Sequence, residues 1–166
     1  MGLCLMEDET LREKALRLWR QAQEPQMRGD LEEAITLYKS SLDVCPTAEA
    51  HTFLGWTYSL QGRVADAIDE CHKAIEVDPT FGNPYNDIGA YLIEQGDLDE
   101  AIPWLERAKE APRYEARAFP FTNLGRVYEL KGEWVKAIKE YEQALEVQPG
   151  YIAAYKRAKR LEGMLN

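Results

Sequence analysis

The chain has 166 residues, 45% of them apolar and 30% charged, enough for one ordinary domain whose core needs no metal or disulfide. Its formal net charge of −9 argues against a nucleic-acid partner, since neutralising phosphates takes an excess of Lys and Arg. No apolar run approaches the ~20 residues of a membrane helix, which argues against membrane insertion.

In chain order, residues 1–10 read as a tail or lead-in. Met1–Met6 is too short for a signal region before Glu7, Asp8 and Glu9, and Met6 stands where a myristoylation start wants Ser or Thr. Cys4, Cys45 and Cys71 form an odd set without C-x-x-C spacing, which points to a reducing, cytoplasmic location. With His51 and His72 as the only histidines, no metal site and no cofactor are expected.

From about Ala15 the apolar residues recur at helical spacing. Pro25 is expected to bend the first helix or end it early, because it lacks the N–H for the backbone bond. Gly29-Asp30 marks a turn, and Asp30 with Glu33 has the N-cap and N3 spacing of a helix start. Pro46 stops that second helix. The same grammar then repeats. Turn glycines fall at Gly29, Gly62, Gly96 and Gly132, separated by 33, 34 and 36 residues. Five residues after each comes Ala-Ile, at Ala34, Ala67, Ala101 and Ala137, and an apolar residue follows each glycine by two, at Leu31, Val64, Leu98 and Trp134. Seven residues before the last three turns stand Gly55, Gly89 and Gly125. A glycine inside a helix costs roughly 1 kcal/mol against Ala, so its recurrence implies a close helix crossing. Asp97 with Glu100 marks another start, Pro103 another break, and Pro79 and Pro149 further stops. Between Ala108 and Gly125 the spacing is two residues longer than between Ala74 and Gly89, so the third and fourth copies are expected to join at an altered angle. Residues 151–165 form a last helix with the stripe Tyr151, Tyr155, Ala158 and Leu161 and the basic residues Lys156, Arg157, Lys159 and Arg160.

The series His51, Leu54, Gly55, Tyr58, Ala67, Cys71, Ala74 and Pro79, with its counterpart Phe121, Leu124, Gly125, Tyr128, Ala137, Tyr141, Ala144 and Pro149, resembles the tetratricopeptide repeat family. The resemblance implies an all-α, right-handed superhelical solenoid of antiparallel helix pairs, about nine helices in all. The repeats fall near 15–47, 48–81, 82–117 and 118–151, with 151–165 as the cap, in one domain of 1–166. The long linker before Asn123-Leu124-Gly125 is also similar to pilus-assembly pilotins of the same repeat class.

Members of the family bind a peptide or a partner helix along the face lined by their A helices, the first of each pair. Positions there that the repeat pattern leaves open give Thr52 and Trp56 in the second copy and Asn86, Ala90 and Ile93 in the third. Asn123 and Arg126 come from the fourth copy, and Lys156 and Arg160 from the last helix. Asn offers a peptide backbone both donor and acceptor, Arg grips a carboxylate in two places, and Trp supplies an apolar anchor. Some members clamp a C-terminal carboxylate. Here Asn123 and Arg157 stand at two of the clamp positions, but Asn86, Ala90 and Ala153 replace the other residues, so the clamp is incomplete. No nucleophile elbow, P-loop, zinc-protease or dinucleotide motif is present. The chain therefore reads as a non-enzymatic interaction module with a protein or peptide partner, itself a monomer or weak homodimer. The alternative is an assembly factor that self-associates, with Trp104 on its edge, or a pilotin-like envelope assembly protein.

Overall fold

The computed structural model describes residues 9–165, so the readings made for Met1–Asp8, Cys4 among them, lie outside the described residues. The described residues form nine helices: α1 (Glu9–Arg28), α2 (Leu31–Val44), α3 (Ala48–Leu60), α4 (Val64–Val77), α5 (Asn83–Gln95), α6 (Leu98–Glu110), α7 (Ala118–Leu130), α8 (Trp134–Val147) and α9 (Ile152–Leu165). The chain divides into two compact units between Pro84 and Tyr85.

Each A helix is joined to its B helix by the same turn. Gly29, Gly62, Gly96 and Gly132 all have positive φ, between 74° and 88°, a conformation that costs any residue with a Cβ. The amide after each glycine donates back five residues: Asp30 to Pro25, Arg63 to Tyr58, Asp97 to Leu92 and Glu133 to Tyr128, at 2.8–2.9 Å. The glycine amide donates back three residues in every copy. This pair of bonds satisfies the last carbonyls of the A helix, in the manner of a Schellman cap. The helix starts at Leu31 and Leu98 fall where the Asp–Glu spacing placed them, but neither Asp30 nor Asp97 makes the side-chain cap bond. Asp30 turns instead to Arg28, 3.2 Å away. The glycine, not a capping box, sets the turn.

Pro25 and Pro103 do not end their helices. α1 runs on to Arg28 and α6 to Glu110. Each proline forfeits one backbone bond, and burial on both sides keeps the helix intact: Ala22 and Gln26 are 0% and 4% exposed, and Ala101 and Leu105 are both fully buried. The B helices α2, α4 and α8 stop two residues before Pro46, Pro79 and Pro149.

In the first unit the core is built from small residues at the helix crossings and large ones between them: Ala15, Ala22, Ala34, Ala67 and Ala74 around Tyr38 and Leu54. A Cβ added to Gly55 would lie 2.8 Å from the Ala67 carbonyl oxygen, so α3 and α4 touch backbone to backbone there. Two buried hydroxyls find acceptors: that of Tyr38 donates to Gln26 Oε1, and Ser41 Oγ donates to the Ala15 carbonyl at 2.7 Å, whereas Trp19 Nε1 and Gln26 Nε2 are buried without a hydrogen bond among the described residues. Cys71 is fully buried and Cys45 is 2% exposed.

The second unit repeats this scheme. A Cβ on Gly89 would fall within 3 Å of Leu105, and one on Gly125 within 3 Å of the Tyr141 ring. Tyr141, Ala137 and Ala144 of α8 form one core with Ala118 of α7 and with Ala154, Ala158 and Leu161 of α9. The α6–α7 connection spans residues 111–117, longer than the other connections between pairs, and is fixed by burial of Ala111 and Tyr114. Within it Arg117 Nη2 donates to the Pro112 carbonyl at 3.1 Å.

Candidate functional site

The candidates on α5 and α7 are brought together. Asn123 Nδ2 donates to Asn86 Oδ1 at 3.0 Å, and Asn123 Oδ1 accepts from Arg126 Nη1 at 3.4 Å. Asn86 Nδ2 in turn donates to Asp87 Oδ1 at 3.4 Å. A guanidinium on α7 is thus linked through two amides to a carboxyl on α5. Asn86 is 5% exposed, while Asn123 and Arg126 are partly exposed. Burial pushes the Asp87 carboxyl up to about 7, with the bond from Asn86 opposing it only weakly. Asp87 was not singled out from sequence, because one acidic residue among 29 gives no signal until its burial is known.

The remaining candidates are spread more widely. Ala90 is partly exposed, but Ile93 is buried and belongs to the core rather than to an open face. Lys156 is exposed. Arg160 and Arg157 both pair with Glu129 of α7, the latter at 3.4 Å, and the fully buried Tyr141 donates its hydroxyl to the same carboxylate at 2.9 Å. Burial alone would raise Glu129, but the hydrogen bonds from Arg160 and Tyr141 outweigh it and hold the carboxyl below the usual range. In the first unit Thr52 is 2% exposed and its hydroxyl donates to the Ala48 carbonyl of its own helix, which leaves it nothing to offer a partner. Trp56 is 44% exposed and rests its ring edge-on against Phe53, with centroids 5.9 Å apart. Phe53 also meets Trp19 and Tyr38, so Trp56 is the outermost ring of a four-ring cluster.

Two charged clusters escaped the sequence reading. Glu70 lies 2.7 Å from His51 Nδ1 and 2.6 Å from Lys73 Nζ, and these hydrogen bonds overcome burial to hold its carboxyl low. Glu140 occupies the same position in the fourth copy, eight residues after the turn glycine. There burial wins, and the carboxyl is raised despite Lys109 at 3.0 Å. The ammonium of Lys109 also sits 4.6 Å above the Phe121 ring, and Phe121 is the counterpart of His51. Among the described residues no group of three or more His, Cys, Asp or Glu is arranged to hold a metal, and no helix is long and apolar enough to cross a membrane.

Family profiles described as Tetratricopeptide repeat match residues 48–81 and 81–149. The chain is 30% identical over 135 residues to a probable UDP-N-acetylglucosamine–peptide N-acetylglucosaminyltransferase, SPINDLY, of Hordeum vulgare, covering 77% of this chain and 14% of that protein. It is 28% identical over 121 residues to the type IV pilus assembly protein PilF of Pseudomonas aeruginosa, covering 72% of this chain and 48% of PilF. The crystal structure of MamA superposes with a TM-score of 0.70 at 32% identity, covering 86% of this chain and 84% of that one. The PilF structure superposes with a TM-score of 0.83 at 24% identity, covering 90% and 68%, which shows the shared fold. The chain spans about half or less of the curated relatives it matches.

Proposed function

The chain belongs to the tetratricopeptide repeat family, an all-α solenoid fold of protein-interaction modules, and from that premise we propose that it captures a segment of a partner protein on the A-helix face of residues 85–166. The observation that carries this reading is the Arg126–Asn123–Asn86 relay. The repeat pattern asks for no Asn at either position, yet the two amides meet on adjacent A helices, next to a guanidinium that has no carboxylate at ion-pair distance among the described residues. A peptide backbone has the donor and acceptor needed to replace the amide–amide bond. The module is read as non-enzymatic and free of cofactor. The transferase named in the SPINDLY relative is that protein's own, and the chain spans 14% of it.

The test is a photo-crosslinking residue placed at Ala90 of α5, partly exposed one turn after Asn86, or, as a control, at Val135 of α8, which is 73% exposed. In host cells the first is expected to trap a discrete partner and the second to trap none. The opposite pattern would move the interaction off this face. A second reading, a pilotin-like assembly factor of the cell envelope, is favoured by the match to PilF across 72% of the chain. The first reading carries a cytoplasmic location and the second an envelope one, and cell fractionation separates them.

A further inference from the structure

Charge is unevenly divided along the chain. Seven of the nine net negative charges belong to residues 1–84, and α9 carries Lys156, Arg157, Lys159 and Arg160 against the single acid Glu162. Not all of that positive charge is open. Lys159 Nζ lies 2.6 Å from Glu162, and Arg157 and Arg160 converge on Glu129. Lys156 and Arg126 have no carboxylate within ion-pair distance among the described residues. Glu129 is well held: its side chain is 18% exposed, and it also accepts from the buried Tyr141 hydroxyl.

We propose that this face selects an acidic segment through Arg126 and Lys156, and that Glu129 acts as an internal competitor withholding Arg157 and Arg160 from it. The proposal rests on the reading of the face as partner-binding. An incoming carboxylate meets two unpaired cations directly. It reaches the other two only by displacing a carboxylate that the protein supplies itself, so Glu129 sets how much of the basic helix the partner feels. Guanidinium groups suit such an exchange, since each can hold one carboxylate while releasing another. The contacts are solvent-accessible, so added salt weakens them.

The test uses the full chain and a fluorescein-labelled hexaglutamate peptide, read by anisotropy at low and near-physiological salt, with hexaglutamine as the uncharged control. Wild type is expected to bind hexaglutamate in preference to hexaglutamine. Arg126→Ala and Lys156→Ala each weaken that binding by about fivefold. Arg160→Ala leaves wild-type binding within about twofold, because the residue is already occupied. Glu129→Gln keeps an acceptor for Tyr141 and tightens binding by about threefold to tenfold, a gain that Arg160→Ala then removes in the double variant. A loss from Arg160→Ala as large as that from Arg126→Ala overturns the competitor role, and this arm stands even if Glu129→Gln does not fold. Equal binding of the two peptides, with crosslinking at Ala90 intact, overturns the acidic preference while the partner-binding face survives. Loss of the crosslink as well ends both.

Discussion

At the scale of single residues, position in the repeat does not decide protonation. Glu70 and Glu140 occupy the same slot, and the neighbours decide: two donors hold Glu70 low, and one ammonium shared with Glu106 leaves Glu140 raised. Asp87 is the stronger case, its carboxyl pushed up to about 7 by burial with no cation to offset it. A carboxyl raised in the folded state lends stability that is complete below the unfolded value near 4 and is lost as pH rises through about 7. Stability is therefore expected to fall between about pH 4 and pH 7. Asp87→Asn removes that slope, leaving the protein about 1–2 kcal/mol more stable than wild type at pH 8 and little changed at pH 4. Denaturant titrations of both proteins at the two pH values check this, and parallel pH profiles would show that Asp87 is solvated. None of it was legible beforehand. Asn86 and Asn123 were, because they break the repeat pattern, whereas Asp87 and Glu70 look like any surface acid until the packing above them is known.

At the scale of helices and turns, three kinds of glycine respond differently. At Gly55 an added methyl meets the Ala67 carbonyl, a backbone atom that cannot rotate aside. Gly55→Ala is expected to cost about 1–2 kcal/mol, the strain of overpacking outweighing the gain in helix propensity. At Gly96 nothing lies within 4 Å, but φ is +87°, so Gly96→Ala costs about 1 kcal/mol through the backbone alone. At Gly163, in the last turns of α9, there is neither a neighbour nor a positive φ, and Gly163→Ala is expected to stabilise by a few tenths of a kcal/mol or more. Thermal melts of the three variants give the ordering, and a tolerated Gly55→Ala would refute the backbone contact. This is where the sequence speaks most clearly. Turn glycines, small crossing residues and stop prolines locate helix ends to within a residue or two, because each reports a local steric demand. Pro25 and Pro103 mislead for the complementary reason. Their local cost is real, and it is overridden by burial of Ala22, Ala101 and Leu105, which no local rule sees.

At the scale of the whole molecule, a repeat fold is held by nearest-neighbour packing, so its last pair depends on what covers it. In the second unit that cover is α9, which shares a core with α8 through Ala154, Ala158 and Leu161 and is tied to α7 through Glu129. Burial of one leucine and two alanines is worth about 3 kcal/mol, and the partly exposed ion pairs add little to it. Apolar packing, not the basic surface, is therefore what seats the helix. A chain ending at Gly150 is expected to uncover the Tyr141, Ala144 and Leu145 side of α8, lose more helical signal than the 14 residues of α9 account for, and bind a hydrophobic dye. Glu129→Gln, which removes the charge and keeps the packing, is expected to leave α9 seated and lower the melting temperature by no more than about 2 °C. If the charge variant melted as early as the truncated chain, the ionic clasp would be the main tie. Glu129 would then be structural first, and its exchange with an incoming carboxylate would cost the fold of the last pair.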